Sequence, residues 1–364
     1  MADREPKYLK VIEWVKDNIA TGKFKYGDRM MSEKELSEKF GLSRQTIRHA
    51  TGELVNQHLV TRVQGSGTYI GSSYMPVREE QYMSVAVVST FYESYIFPPT
   101  LKGIESVLSA ENYSMQVSFT DNRVSREEEI LKNILAKDSI DGLIVEPAKS
   151  ALPNPNLRYY REIRNRHIPI IFFNAEYPGL DAPCVRFDDV EMGRRAASVL
   201  IQNGHRKIAG IFKADDGQGR LRYEGYYRAV HDAGLEIDQE NVIWIDTPEI
   251  LNLDAIGAYL LQRIDDCTGV VCYNDEAAYQ MVEIAAKHGM KVPEDLSVIG
   301  IDDANVASIC RVPLTTFPHP KEELGRKVAS NLLNMIKNPE FDGNFRFVTD
   351  PVYRKSVCDL TKRS

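Results

Sequence analysis

The chain has 364 residues, too many for one small domain and suited to two or three. Charged residues make up 27% and apolar residues 43%, ordinary for a soluble globular protein, and no apolar run approaches the length of about 18 residues that a membrane helix needs. The net charge of −7 is unevenly spread: residues 1–72 hold 12 Lys and Arg against 9 Asp and Glu, and the rest hold 33 against 43. A mildly basic head on an acidic body suits a protein in which only the head meets phosphate. Residues 1–7 lack the apolar core of a signal peptide, so a cytoplasmic location is expected. The cysteines (Cys184, Cys267, Cys272, Cys310, Cys358) are odd in number and form no Cys-x-x-Cys pair. That pattern argues for a reducing compartment and against a disulfide framework or a zinc site. No metal and no cofactor are expected.

In chain order, the first predicted helix has an apolar stripe of Tyr8, Leu9, Val11, Ile12, Val15 and Ile19 and stops at Thr21-Gly22. Ser32 and Glu35 form a capping box for a short second helix that ends at Phe40-Gly41. Ser43 caps a third helix, with Ile47, Ala50 and Leu54 on its buried side. Arg44, Gln45 and Arg48 lie off that stripe, on the first turns. Those are the positions from which Arg pairs with guanine and Gln with adenine in the major groove. Two alternating segments, 60–63 and 68–70, flank Gln64-Gly65-Ser66-Gly67, which predicts a glycine-tipped hairpin. Its small tip bears no acid and fits a minor groove. Surface arginines are more often solvated helix charges, but here capping, turn and hairpin signals agree on a winged helix-turn-helix.

With those residues in view, positions 5–71 resemble the GntR-type winged helix-turn-helix repressors. The resemblance rests on Ser32-Glu33, on Ser43-Arg44-Gln45-Thr46-Ile47-Arg48 and on Gly65-Ser66-Gly67-Thr68-Tyr69. It implies DNA contacts by Glu33, Arg44, Gln45, Arg48, Gln64, Gly65 and Gly67. Two positions depart from the family pattern. Met31 stands where a Pro is usual, and His58 where a Gly is usual; both fall in turns.

Residues 72–82 contain Pro76 and no periodicity, and are expected to be a linker between a head at 1–71 and a body at 83–364. In the body, near-continuous apolar runs at 85–89, 142–145, 168–173, 207–212, 242–245, 269–273 and 296–301 alternate with helical segments. Such runs predict parallel strands covered on both faces, and their number predicts two lobes. The class is α/β. The residues that end these runs are Glu146-Pro147, Asn174, Lys213, Asn274-Asp275 and Asp302-Asp303. Ligands of open parallel sheets bind at the carboxyl ends of strands, so these groups are expected to share one crevice. Carboxylates, amides and guanidinium suit a polyhydroxylated ligand, and Tyr95 and Phe97, in the loop after the first run, offer aromatic faces. Polar residues also end strands simply as helix caps, and for any one position that explanation is about as good as the functional one.

Residues 83–358 resemble the effector domain of LacI/GalR-type repressors, which is similar to periplasmic sugar-binding proteins. The motifs that carry this include Phe187-Asp188-Asp189, Arg222-Tyr223-Glu224-Gly225, Cys272-Tyr273-Asn274-Asp275 and Ile301-Asp302-Asp303. The resemblance implies sugar contacts by Asn174, Arg222, Asn274, Asp302 and His319, with Glu146, Tyr95 and Phe97 added from loops. Joined to a GntR-type head, this body resembles the arabinose-responsive repressor family of Gram-positive bacteria. That combination implies a homodimer, operator double-stranded DNA as partner, L-arabinose as effector, and release of DNA when the sugar binds.

Two other classes share such a body: a sugar-binding transport protein and an enzyme acting on a sugar. The DNA-binding head argues against the first. Against the second, the chain has no Gly-x-Ser-x-Gly elbow, no His-Glu-x-x-His and no dinucleotide fingerprint, and no catalytic residue is assigned. His205, in a turn entering a strand, is expected to be structural.

Overall fold

The computed structural model describes residues 6–20, 23–24, 27–57, 59–63, 66–71 and 82–362. Thr21-Gly22, His58, Gln64, Gly65 and residues 72–81 of the expected linker lie outside the described residues. The chain divides into two compact units, Met1–Gln81 with Asn338–Glu340, and Tyr82–Lys337 with Phe341–Ser364. No described helix is long and apolar enough to cross a membrane.

The head comprises α1 (Leu9–Ala20), α2 (Glu33–Phe40), α3 (Arg44–Asn56), β1 (Val60–Val63) and β2 (Gly67–Ile70). The capping box forms: Ser32 Oγ accepts the Glu35 amide at 3.3 Å, and the Glu35 carboxylate accepts the Ser32 amide at 2.7 Å. Gly41, at φ 64°, turns the chain out of α2. Two residues later Ser43 Oγ accepts the Thr46 amide at 3.2 Å and starts α3. One apolar cluster holds the head together, with Val11, Val15, Leu36, Ile47, Ala50, Leu54 and Leu59 fully buried. Helix α3 ends at Gln57 with φ −83°, an ordinary right-handed conformation that does not require a glycine.

The body begins with β3 (Ser84–Ser89), α4 (Phe97–Ala110), β4 (Ser114–Phe119), α5 (Val124–Lys137), β5 (Gly142–Val145), α6 (Leu157–Asn165), β6 (Ile170–Phe173) and β7 (Cys184–Phe187). It continues through α7 (Asp189–Gln202), β8 (Ile208–Lys213), α8 (Gly217–Asp232), β9 (Val242–Ile245), α9 (Thr247–Ile250), α10 (Gly257–Arg263), β10 (Gly269–Cys272), α11 (Asp275–Lys287) and β11 (Ser297–Ile299). Helices α12 (Asn305–Ile309) and α13 (Lys321–Lys337) and strand β12 (Phe345–Phe347) complete it.

These strands form two parallel sheets, ordered β12-β7-β6-β5-β3-β4 and β11-β10-β8-β9. Apolar clusters cover both faces of each sheet, which is why the central strands are unbroken apolar runs. The chain enters the second lobe after β7, returns to the first at α13 and β12, and ends against the second. Bridges at Asp302↔Pro318 and Thr316↔Val352 tie these crossings together.

Three strands were not expected from sequence. In β4, at a sheet edge, exposed and half-buried residues alternate, and β12 is exposed along most of its length. In strand β7 the half-buried Arg186 breaks the apolar run. None has the apolar run that marks a strand covered on both faces.

Two glycines set how closely the helices beside the cavity pack. Helices α7 and α8 cross at Gly193 and Gly225. A Cβ at either position would overlap backbone of the other helix, Arg222 in one case and Val190 in the other. This close crossing brings Asp189, at the start of α7, against Arg222 on α8.

Candidate functional site

On the head, Arg44, Gln45 and Arg48 are exposed on the first turns of α3. Glu33, at the start of α2, lies 3.4 Å from both Arg48 Nη2 and Arg62 Nη2, so its carboxylate holds one arginine from the helix and one from the hairpin. Gly67 has φ 136°, which any side chain would strain, and a Cβ there would come within 3.1 Å of Arg29 Nε. Glu33, Arg44, Gln45, Arg48 and Gly67 are thus all on described surface near the start of α3 or in the hairpin. Gln64 and Gly65 are outside the described residues.

In the body, a cavity of about 590 Å³ opens between the two lobes, within the usual range for small-molecule sites. All eight residues assigned to the effector from sequence line it: Tyr95, Phe97, Glu146, Asn174, Arg222, Asn274, Asp302 and His319. Strand ends deliver half of them, Glu146, Asn174, Asn274 and Asp302, as the fold class leads one to expect. Asn174 and Asp302 follow β6 and β11 with φ values of 62° and 111°. Non-glycine residues held there carry strain of about 1–3 kcal/mol each, which the surrounding network sustains.

Arg222 is the hub. Its Nε donates to Asp189 Oδ1 at 2.8 Å, Nη1 to the Tyr273 carbonyl at 2.5 Å and Nη2 to Asp302 Oδ1 at 3.2 Å. Its guanidinium also stacks 5.0 Å from the Tyr273 ring centre. Burial works against its charge, but Asp302 and Asp189 hold it firmly protonated. Asp189 shows the opposite balance. Burial raises its carboxyl to about 6 although Arg222 pulls it down. The Tyr95 hydroxyl crosses from the first lobe to donate to Asp302 Oδ2 at 2.6 Å, and it accepts from Asn274 Nδ2 at 3.1 Å.

Glu146 forms a second group. It accepts from the Thr90 amide at 3.1 Å, the Thr90 hydroxyl, and Asn174 Nδ2 at 2.9 Å. Burial nevertheless raises its carboxyl to about 7. His319 packs edge-on against Phe187 with ring centres 5.2 Å apart, and burial lowers it to about 3, so it is neutral. Asn174 Oδ1 and His319 Nδ1 are buried and have no protein partner.

Lys213 is the buried cation of a third group, donating to Asp216 Oδ2 at 2.5 Å, while the Tyr273 hydroxyl lies 3.3 Å from the same oxygen. Asp189, Tyr273 and Asp216 were not assigned from sequence. The first two stand inside quoted motifs, but nothing in a linear pattern shows which motif members meet.

Two strand-end acids do not join the cavity lining. Asp275 turns inward to accept the Thr316 hydroxyl at 2.6 Å and the Ala304 amide at 2.8 Å. Burial raises its carboxyl to about 8. Asp303 pairs with Arg354 at 2.7 Å. For these two the capping and bracing role holds, and the expected convergence does not. His205 is buried, 2.9 Å from the Thr268 hydroxyl and 3.1 Å from the Cys358 carbonyl, and serves the fold. Among the described residues no group of three His, Cys, Asp or Glu is placed to hold a metal.

Comparison with known proteins agrees with this two-part architecture. Residues 7–70 match the family model of bacterial regulatory proteins, gntR family, and residues 191–357 match that of a periplasmic binding protein-like domain. The chain is 36% identical to an arabinose metabolism transcriptional repressor of Geobacillus stearothermophilus, over 98% of both chains. It is 34% identical to a protein of the same name from Halalkalibacterium halodurans, over 98% of this chain and 97% of the other. In fold it resembles a transcriptional regulator CelR–cellobiose complex, with TM-score 0.66 and 24% identity over 86% of this chain and 90% of that one. It also resembles the transcription regulator CcpA of Lactococcus lactis, with TM-score 0.68 and 23% identity over 75% of this chain and 98% of that one. The chain therefore belongs to the family of bacterial sugar-metabolism transcriptional repressors that join a GntR-type head to a LacI-type body.

Proposed function

We propose that this repressor binds its operator as a homodimer and leaves it when L-arabinose occupies the cavity of the body. The observation that carries the sugar reading is the cavity's inner wall. Arg222, Asp302, Asn274, Glu146 and Asn174 offer planar polar groups from both lobes, each able to bridge neighbouring hydroxyls. Asn174 Oδ1, an acceptor, and His319 Nδ1, a donor or an acceptor according to the ring tautomer, are polar atoms that the protein itself leaves unused. A buried polar atom without a partner is costly, and a ligand hydroxyl would satisfy each. The identity of the sugar rests on the names of the two relatives.

On the head, Arg44, Gln45 and Arg48 are the residues proposed to read base edges. Gly67, with Gln64 and Gly65, would bring the hairpin close to the duplex. An acid beside phosphate is unfavourable by itself, so Glu33 acts by holding Arg48 and Arg62 in place. One recognition helix reads one half-site, and a symmetric operator therefore calls for a dimer. Such a protein acts where the DNA is, in the cytoplasm.

A mobility-shift titration at fixed salt, with a panel of pentoses and hexoses as releasing agents, tests this. L-arabinose should release the operator at the lowest concentration. Failure of every pentose to release it would refute the proposed effector.

A further inference from the structure

Glu127 lies on the first turn of α5, behind the cavity and not in its lining, and is fully buried. Five groups able to donate surround its carboxylate, and the Tyr177 hydroxyl divides its one hydrogen between Glu127 and the Ala148 carbonyl, 2.7 Å away. Oε1 is 2.8 Å from the Tyr160 hydroxyl, 2.6 Å from the Tyr177 hydroxyl and 3.4 Å from the Ala148 amide. Oε2 accepts from Asn154 Nδ2 and Asn156 Nδ2, each at 2.8 Å. A buried carboxylate is tolerated only when its lone pairs are occupied in this way. A loop that needed only packing would be served by an apolar side chain. A carboxylate ringed by donor groups instead fixes where each of them sits.

Three of those donors belong to the loop 146–156, between β5 and α6. At its start the loop carries Glu146, in the cavity. In its middle it reaches the second lobe: Lys149 pairs with Asp215, Ser150 Oγ accepts the Gly217 amide at 2.9 Å, and the Ala151 carbonyl accepts Arg220 Nη1 at 3.1 Å. Gly217 and Arg220 open α8, the helix that bears Arg222. The segment before α5 grips the same loop from the other side. Asn122 Oδ1 accepts the Lys149 amide at 2.7 Å, and Asn122 Nδ2 donates to Thr247 Oγ1 in the second lobe at 2.8 Å.

We propose that Glu127 is a positioning residue for the effector site. Through the loop 146–156 it sets both the place of Glu146 in the cavity and the contact between the lobes. Effector binding and lobe closure then depend on a carboxylate that the effector never touches. This rests on the effector reading above.

Glu127→Gln tests it, because the amide presents N–H groups where the network needs acceptors. Full-length wild type and variant are titrated with L-arabinose by calorimetry. In parallel, spin labels at Lys137 and Glu236, exposed positions of the two lobes, report lobe separation without sugar, with labelled protein diluted into unlabelled. Arabinose affinity should fall at least tenfold and the label distance should lengthen. The double variant Lys149→Met/Ser150→Ala, which leaves the Glu127 network intact, should shift both readouts in the same direction by less. A Glu127→Gln protein that melts at a lower temperature but keeps wild-type affinity and label distance would overturn the proposal, since its role would then be structural only. If Glu127→Gln does not fold, Asn156→Ala, which removes one of the loop's donors to Glu127, decides by the same criterion. If wild type itself does not bind arabinose, the effector reading fails, and the sugar-free label distances still decide the role of Glu127.

Discussion

The head and the cavity use charged side chains in opposite ways. On the head, Arg44 and Arg48 stand in solvent, and the ion pairs that Glu33 makes are exposed and long. Such pairs contribute about 0–1 kcal/mol to stability, so these residues are free to serve DNA. In the body, Arg222 and Asp302 of the cavity wall and Asp189 beside them are buried, and each is held by others. Removing one member there leaves an uncompensated charge. The head can therefore lose function without losing its fold, whereas the cavity ties function and fold together.

The largest break in that comparison should come from Arg222→Ala. Loss of one partner from a buried ionic group typically costs about 3–5 kcal/mol, because Asp189 and Asp302 are left unpaired. Chemical denaturation should show this loss, and calorimetry should show no arabinose binding. A variant with wild-type stability would mean that the group is more open to water than its geometry indicates.

A second effect depends on pH. Burial raises the folded Glu146 carboxyl to about 7, above its ordinary 4.5. The folded state thus favours the neutral acid. The stability this contributes is full below the unfolded value and lost as pH rises toward 7. Glu146→Gln should flatten that decline by up to about 3 kcal/mol between pH 4.5 and 7. Parallel slopes for wild type and variant across this window would remove Glu146 as the source. His319 works in the other sense. Its folded value of about 3 lies below the ordinary 6.5, so its contribution is present at neutral pH and lost as pH falls through that interval.

Arg44→Ala and Arg48→Ala should each weaken operator binding by about 1–3 kcal/mol, with stability and arabinose affinity unchanged. Wild-type operator affinity in both would exclude the proposed docking of α3. The smallest effect belongs to Glu33→Ala, which should change stability by less than about 1 kcal/mol in thermal melts. A larger loss would place Glu33 with the cavity residues and erase the contrast.

How much of this was legible in the sequence follows from the same contrast. The head was readable because its boundaries are set locally: Ser32, Gly41 and Ser43 each act within a few residues of where they stand. The central strands were readable because burial on both faces leaves an unbroken apolar run, as at Gly142–Val145. β4 and β12 were not, because exposed positions interrupt any such run in them. All eight residues assigned to the cavity do line it, carried there by strand ends and motifs. Asp189 and Glu127 stayed hidden for a different reason. Each meets partners tens of residues away, and only the crossing of α7 with α8, or the folding of the 146–156 loop over α5, brings those partners together. Asp275 and Asp303 show the converse: a strand-end acid faces the ligand or braces the fold depending on contacts that no local pattern records.

On the function proposed, the cavity of the body governs the head. Linkage makes this a single measurement: arabinose titrated into full-length protein with and without saturating operator. If sugar weakens operator binding, operator must weaken sugar binding by the same factor, typically about 5- to 150-fold. Weaker arabinose binding in the presence of operator, by the factor found in the release experiment, is the expected result. Equal affinities in the two titrations would contradict it and leave head and body as uncoupled modules.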